Sequence, residues 1–164
     1  MLRGLEQKDA PYMLEWMHDA SVVEFMQADF ANKTLDDCEA FIQYSQSNSD
    51  DVHLAIVNES DEYMGTVSLK HINPDRQVAE FAITIRKCAM GTGVASTAMK
   101  DIISLGKNKY HLKHIYWCVS KENARAIRFY RKNGYQEIDI QKYDDIIRKQ
   151  YTKDQLNRMI WFEI

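Results

Sequence analysis

KCAMGTGVASTAMKDII, residues 87–103, takes the chain from a strand-like run into a helix across two glycines, Gly91 and Gly93. Glycines at such a junction let a ligand approach the backbone, and the N-terminus of the following helix attracts anions. A dinucleotide-binding loop of the pattern G-x-G-x-x-G would need a third glycine at Ser96. Because a G-x-G pair also occurs in ordinary loops, the flanking segments must indicate what this one holds.

Three strand-like segments precede the glycines: VHLAIVN, YMGTVSLKHI and QVAEFAITI. The short polar turns ESDE and NPDR join them, which predicts three consecutive antiparallel strands. Alternation in the third strand predicts two faces, one with Phe81, Ile83 and Ile85 and the other with Glu80, Ala82 and Thr84. Glu80 is then a charge on a strand whose neighbours are almost all apolar.

The segments after the glycines alternate between helix and strand. Helix signals run to just before Gly106, which is placed to end the helix, and HIYWCVS follows as a short buried strand. NARAIRFYRKNGY predicts a helix from near Asn123 that stops at Gly134. Two last strands, at about residues 135–143 and 155–164, would close a mixed sheet.

The N-terminal part is predicted to be mostly helical. A short strand over residues 1–5 leads into a helix with Asp9 as its N-cap. Two further helical regions follow, the second behind a T-x-x-D capping box at Thr34 and Asp37. The sequence therefore predicts an α+β protein with a mixed, mostly antiparallel sheet flanked by helices. It predicts a single domain over residues 1–164.

Composition argues against several classes of protein. A chain of 164 residues with 45% hydrophobic and 27% charged residues is typical of globular domains, and a net charge of −3 argues against a nucleic-acid-binding surface. The basic run KNKYHLKH, residues 107–114, is best interpreted as a solvated loop. No apolar run has the length of a membrane span or signal peptide, and the cysteines and histidines lack metal-ligand spacing. We expect a cytoplasmic protein with no metal, membrane or nucleic-acid partner.

The late helix carries one stripe with a polar start and a phenol at its end. Asn123, Ile127 and Tyr130 lie at i, i+4 and i+7, while Ala126 and Phe129 point towards another stripe. A single tyrosine on an amphipathic helix more often packs in the core than acts in catalysis. The stripe by itself therefore favours packing for Tyr130.

The order of these elements resembles that of the GNAT superfamily of acetyl-CoA-dependent N-acetyltransferases. The order is a strand with an inward glutamate, a glycine loop entering a helix, a buried strand and the late helix. The loop matches the superfamily motif R/Q-x-x-G-x-G/A at Gly91 and Gly93. The late helix matches the pattern N-x-x-A-x-x-x-Y-x-x-x-G-F/Y at Asn123, Ala126, Tyr130, Gly134 and Tyr135. Within the superfamily the chain is most similar to the branch of spermidine and ribosomal-protein-alanine acetyltransferases.

The resemblance implies acetyl-CoA as the cofactor. Its pyrophosphate would lie over Met90, Gly91, Thr92, Gly93, Val94, Ala95 and Ser96. Its pantetheine arm would lie along Ile83, Thr84 and Ile85, where the strand splays from its neighbour, and the late helix would add Asn123, Ala126, Ile127 and Tyr130. The chain departs from the motif at one position, where it has Cys88 in place of the Arg or Gln of the family. Side-chain contacts that help to bind the phosphates would then come from Arg86 or Lys87, or be missing.

The resemblance also assigns catalytic roles. Tyr130 matches the family tyrosine that protonates the departing thiolate, which favours a general acid over packing. A glutamate at the position of Glu80 is proposed in relatives to deprotonate the amine through water. An ion pair between Glu80 and Lys70, or a role of Glu80 in binding the substrate, explains this carboxylate equally well. A backbone N–H near residues 83–85 would stabilise the oxyanion.

We therefore expect an N-acetyltransferase that transfers acetyl from acetyl-CoA to a primary amine by direct attack on the thioester. The alternative is a non-catalytic GNAT module that binds coenzyme A as a sensor or scaffold. Polyamine, aminoglycoside, amino sugar and protein N-terminus stay open as acceptors, and the resemblance leaves room for a homodimer.

Relatives shape the acceptor pocket with segments that correspond to residues 21–47 and 143–154. Both segments carry carboxylates, at Asp29, Asp36, Asp37, Glu39, Asp144 and Asp145. An acidic pocket would suit a polyamine or another cationic amine. Solvated helix and loop faces explain the same charges equally well, and the stretch MQADFANK largely replaces the acidic cluster of polyamine-specific relatives.

Overall fold

The computed structural model describes all residues from 1 to 164 and contains seven strands. They are β1 (Leu2–Gly4), β2 (Val52–Val57), β3 (Tyr63–Asn73), β4 (Val78–Ile85), β5 (His114–Ser120), β6 (Gln136–Ile138) and β7 (Met159–Glu163). One sheet joins them in the order β1-β2-β3-β4-β5-β7-β6. Only β4 and β5 pair in parallel. The predicted mixed, mostly antiparallel sheet is confirmed.

Seven helices flank the sheet. They are α1 (Ala10–Met17), α2 (Ala20–Val23), α3 (Leu35–Ser47), α4 (Val94–Tyr110), α5 (Ala124–Lys132), α6 (Asp144–Ile147) and α7 (Lys153–Asn157). One apolar core forms where α4 and α5 cover the sheet, and a second forms beneath α1 and α3. The alternation of β4 is confirmed, because Phe81 belongs to the core under α4 and α5 while Glu80 does not. No helix has both the length and the apolar character to cross a membrane.

The two predicted helix starts near the N-terminus differ in outcome. The capping box before α3 is confirmed, since Thr34 N–H donates to Asp37 Oδ2 at 2.8 Å and Asp37 N–H donates to Thr34 Oγ1 at 3.3 Å. Asp9 is not a side-chain cap of α1. Its buried carboxylate instead accepts two 2.8 Å hydrogen bonds from Arg3 and one from Glu6 N–H. The carboxylate of Asp9 therefore forms an ion pair with Arg3 of β1, although its position in the sequence predicted a cap of α1.

The prediction that Gly106 ends α4 is wrong. The helix continues to Tyr110, and His111 ends it with a φ of +54°. Gly106 lies inside the helix and is buried, and a Cβ there would lie 3.1 Å from the Cδ1 atoms of both Ile115 and Leu69. This glycine therefore allows close packing of the helix on the sheet.

The last two strands are shorter than predicted. β6 ends before Asp139, whose side chain accepts a hydrogen bond from Gln141 N–H and starts a 3-10 turn. Thr152 caps α7 in the same way, through Gln155 N–H. Local caps thus convert much of the predicted strand sequence into short helices that cover the face of the sheet carrying Tyr116.

The parallel pairing between β4 and β5 stops after three residue pairs, the last of which joins Glu80 and Tyr116. Beyond this point β4 pairs only with β3, and β5 pairs only with β7. The predicted splay of β4 from its neighbour is therefore confirmed, and it leaves a gap in the middle of the sheet.

Replacing Gly106 by valine tests the packing of α4. Gly106→Val should lower the free energy of unfolding by about 1–3 kcal/mol, because the added methyl groups overfill the space against Ile115 and Leu69. Urea titration measures this change. Ser104→Val, at an exposed position of the same helix, should stay within about 0.5 kcal/mol of the unmodified protein. Equal midpoints for both variants would contradict the packing account.

Candidate active site

The glycine loop presents free backbone N–H groups at the start of α4. Gly91 and Gly93 have φ angles of +82° and +88°, where glycine is favoured. A Cβ at either position would meet no protein atom within 4 Å, so the loop surface is open. Five N–H groups donate to no acceptor in the protein, those of Gly91, Gly93, Val94, Ala95 and Ser96. Free N–H groups at the positive end of a helix bind anions such as phosphate.

Arg86 does not extend towards this loop, so the suggestion that it helps to hold phosphate is wrong. Its buried guanidinium donates to Glu15 at 3.0 and 2.9 Å, to Glu62 at 2.6 Å and to the carbonyl of Tyr63 at 3.0 Å. The hydrogen bonds to Glu15 raise the pKa of Arg86, which keeps the guanidinium charged. Of the two suggested cations, only Lys87 is exposed.

Arg125 is a second cation beside the loop, and the sequence analysis missed it. It is exposed in the first turn of α5, and its Nη1 lies 3.1 Å from the Sδ of Met90. A positive charge in a first turn opposes the helix dipole. That unfavourable position is the sequence signal that could have identified Arg125 as a group placed for an anion.

The edge of β4 lacks a strand partner where the pantetheine arm is predicted. Ile83, Thr84 and Ile85 pair with Gly65–Val67 of β3, whereas β5 pairs with β4 only as far as Glu80. An open strand edge offers N–H and C=O groups that an extended amide chain can bind. The three residues are half-buried, which leaves this edge accessible.

Tyr130 is buried in an aromatic cluster on the α4 and α5 face of the sheet. Its ring centroid lies 5.3 Å from that of Trp117 and 5.2 Å from that of Phe162. Burial raises the pKa of the Tyr130 phenol, so the hydroxyl keeps its proton at neutral pH. Packing and a protonated hydroxyl therefore occur together in this residue.

The other three residues predicted on α5 differ in their surroundings. Asn123 accepts a 3.1 Å hydrogen bond from Ala126 N–H and caps the helix. Ile127 is 7% exposed and packs in the core, so its side chain offers little surface to a cofactor. Asn123 and Ala126 are half-buried. The shared stripe is thus confirmed for Ile127 and Tyr130 as a buried face.

Glu80 lies on the opposite face of the sheet and is 2% exposed. The alternative of an ion pair is confirmed, since Lys70 Nζ lies 3.3 Å from Glu80 Oε1. The hydroxyl of Tyr151 donates to the same oxygen, and Glu80 Oε2 is buried without any partner. The hydroxyl of Tyr116, the register partner of Glu80, is also buried and unpaired. No sequence signal pointed to Tyr151, because it reaches Glu80 from a separate segment.

A cavity of about 310 Å³ lies between α1, α3 and this second face of the sheet. Its wall is apolar and comes from Met13, Trp16, Met17, Phe30 and Phe41. Its floor comes from β2, β3 and β4, with His53, Thr66, Ser68, Lys70, Ala82, Ile83 and Thr84. Ala82, Ile83 and Thr84 belong to the part of β4 that has no partner in β5. The cavity therefore reaches the gap in the sheet.

Of the two explanations for the six carboxylates, solvated faces account for more of them than an acidic pocket does. Of the six carboxylates named for it, only Asp37 lines this cavity. Asp29 accepts from Asn32, and Asp145 pairs with Arg76 at the surface. A larger cavity of about 400 Å³ lies near the C-terminal end of α3 and includes no residue of the glycine loop, β4 or α5. Of these two cavities, only the smaller one is lined by residues of β4.

The chain belongs to the acetyltransferase (GNAT) domain family, whose model matches residues 1–136. It is an acetyl-CoA-dependent N-acetyltransferase that acts on an amine, as the two motifs predicted. The glycine loop and the gap in the sheet fit this cofactor, since they offer free donors for its phosphates and an open strand edge for its amides.

The relatives are acetyltransferases of the predicted branch. Spermidine N(1)-acetyltransferase of Escherichia coli K12 is 30% identical over 155 residues, which cover 92% of this chain and 80% of that protein. A solved structure of spermidine N-acetyltransferase from Vibrio cholerae with CoA and spermine has a TM-score of 0.80 at 19% identity, covering 100% of this chain and 94% of that one. A dodecameric structure of that enzyme has a TM-score of 0.74 at 20% identity, covering 100% and 92%. None of these supports the non-catalytic alternative.

Gly93→Val tests the phosphate role of the loop. The substitution forces a β-branched residue to a φ of +88° and displaces N–H groups at the start of α4. Loss of one charge-assisted hydrogen bond should weaken coenzyme A binding roughly tenfold to a hundredfold, as measured by calorimetry.

Gly134→Val is the matched control, because Gly134 also has a positive φ of +77° and open space around it but lies outside the loop. Both variants should lose similar stability, and only Gly93→Val should lose coenzyme A affinity. Full affinity in folded Gly93→Val protein would contradict the placement of the phosphates.

Proposed function

We propose that this enzyme acetylates a small primary amine that enters through the 310 Å³ cavity and reacts in the gap between β4 and β5. The observation that carries the proposal is the divergence of these strands after Glu80 and Tyr116. The gap gives access from the cavity face and from the face that carries Tyr130. A small molecule is proposed rather than a protein N-terminus, because the cavity has the volume of a small-molecule site.

When bound, acetyl-CoA supplies the thioester carbonyl that the amine attacks. The free N–H groups of Gly91 and of residues 93–96 would bind its pyrophosphate, with Lys87 and Arg125 adding positive charge nearby. The open edge of β4 at Ile83–Ile85 orients the pantetheine arm and offers a backbone donor to the carbonyl oxygen. Excluding water between apolar strand residues strengthens these contacts.

Tyr130 acts as the general acid. Its hydroxyl remains protonated because burial raises its pKa, so it has a proton to give to the leaving sulfur. Trp117 and Phe162 hold the ring in place. The aromatic cluster therefore has a positioning function in addition to its packing.

Glu80 accepts the proton of the amine through water or binds the amine. The unpaired Oε2 is the oxygen available for this role, since Oε1 already accepts from Lys70 and Tyr151.

A cytoplasmic location is also proposed, and three free cysteines are consistent with a reducing compartment. The homodimer stays a prediction.

The direct test is release of coenzyme A thiol from acetyl-CoA in the presence of a panel of primary amines. We expect amine-dependent thiol release and an acetylated product of matching mass. Coenzyme A binding with no release for any amine would indicate a non-catalytic module instead.

Tyr130→Phe should lower kcat about a hundredfold to ten-thousandfold, the usual contribution of a general acid. The ring stays in its cluster, so acetyl-CoA affinity should hardly change. Tyr135→Phe is the control, because Tyr135 also packs on Trp117, at 5.1 Å between ring centroids. A loss below threefold in Tyr130→Phe would reduce Tyr130 to a packing residue.

Glu80→Gln separates three roles for the carboxylate. A base should show a lower rate that partly recovers as pH rises, because more amine is then neutral. A binding group should show a higher KM with nearly unchanged kcat. Intact kcat and KM, with a stability loss shared by Lys70→Gln, would leave only the ion pair.

A further inference from the structure

The inference concerns the chemical class of the acceptor, and it rests on the proposed use of the cavity beneath α1 and α3. Three ionised groups line this cavity: Lys33, Asp37 and Lys70. Lys70 is neutralised by Glu80, at 3.3 Å. One cation, one anion and one ion pair therefore contribute no net negative charge.

The single carboxylate in the lining is engaged as a helix cap through one of its two oxygens. Asp37 Oδ2 accepts from Thr34 N–H at 2.8 Å and from Thr34 Oγ1 at 3.0 Å. His53 adds no negative charge, and burial lowers its pKa and keeps it neutral. The carboxylate of Asp51, 3.8 Å from His53 Nε2, is not part of the lining. The lining therefore offers a second ammonium group only one free carboxylate oxygen, Asp37 Oδ1, and the positive charge of Lys33 opposes its binding there.

Most polar groups of the floor are also satisfied within the protein. Ser68 Oγ lies 2.8 Å from His53 Nδ1, and Thr66 Oγ1 lies 2.7 Å from the hydroxyl of Tyr63. Trp16 Nε1 donates to that same hydroxyl at 3.1 Å. What remains for a ligand is mainly apolar surface, including the ring of Phe30, which packs edge-on against Trp16 at 5.1 Å.

We propose that the acceptor is a monoamine with an apolar body, and that a second cationic group on the acceptor is disfavoured. The apolar wall binds the body of such an amine by excluding water. The reacting amine needs no permanent carboxylate partner, because it attacks as the neutral base. This chain would then differ in acceptor from relatives that act on spermidine.

The test compares amines that differ by one ammonium group. Hexylamine and hexamethylenediamine have the same carbon chain, and phenethylamine and spermidine extend the comparison. With the unmodified enzyme, kcat/KM should be about tenfold or more higher for hexylamine than for hexamethylenediamine, because the second ammonium must lose water in a mainly apolar lining with no net negative charge. Phenethylamine should likewise exceed spermidine.

Lys33→Glu tests the electrostatic part, since Lys33 is exposed and its side chain makes no ion pair. It should shift the ratio of kcat/KM values towards the diamine by roughly fivefold to tenfold. Lys113→Glu makes the same charge change at an exposed position outside the cavity and should leave the ratio unchanged.

A preference for spermidine or hexamethylenediamine in the unmodified enzyme, or an unchanged ratio in Lys33→Glu, would overturn this inference and leave the proposed function intact. No thiol release with any amine would overturn the proposed function as well. The two failures are therefore distinguishable.

Discussion

The divergence of β4 and β5 after three residue pairs is the constraint on which the rest of the site depends. A parallel pair in the middle of a sheet normally satisfies the backbone groups of both strands. Here β3 pairs with one edge of β4 and β7 pairs with one edge of β5, so beyond Glu80 and Tyr116 each strand keeps an open edge on the side of the gap. Unpaired backbone groups are costly when buried, so the edge must meet solvent or a ligand. A ligand with amides at strand spacing would satisfy those groups.

Two different ionisable side chains, Tyr130 and Glu80, lie near this divergence on the two faces of the sheet. Tyr130 packs on Trp117 on one face, whereas Glu80 lies on the other with Tyr116, whose neighbour in the chain is Trp117. A phenol and a carboxylate therefore lie on opposite faces of the sheet, beside the same gap. Since their environments differ, the phenol can stay protonated while the carboxylate stays paired with Lys70.

The sequence allowed prediction of the features that depend on neighbouring residues. The alternation around Glu80, the capping box at Thr34 and the helix after Asn123 each follow from spacing of a few residues, and all are present. The errors come from distant contacts. Gly106 is needed by the packing of α4 on β5, and Tyr151 meets Glu80 across 71 residues of chain. No local pattern encodes such contacts.

Arg86 links the end of β4 to α1. It sits directly after Ile85, at the end of the open edge of β4, and its guanidinium holds Glu15 of α1. The same group lies 4.5 Å from the ring centroid of Tyr12 in that helix. Since α1 supplies Met13, Trp16 and Met17 to the smaller cavity, one wall of this cavity is anchored to the end of β4 that has the open edge. One buried cation thus holds the cavity wall and the open edge of β4 in fixed relation, and its carboxylate partners keep it away from the glycine loop.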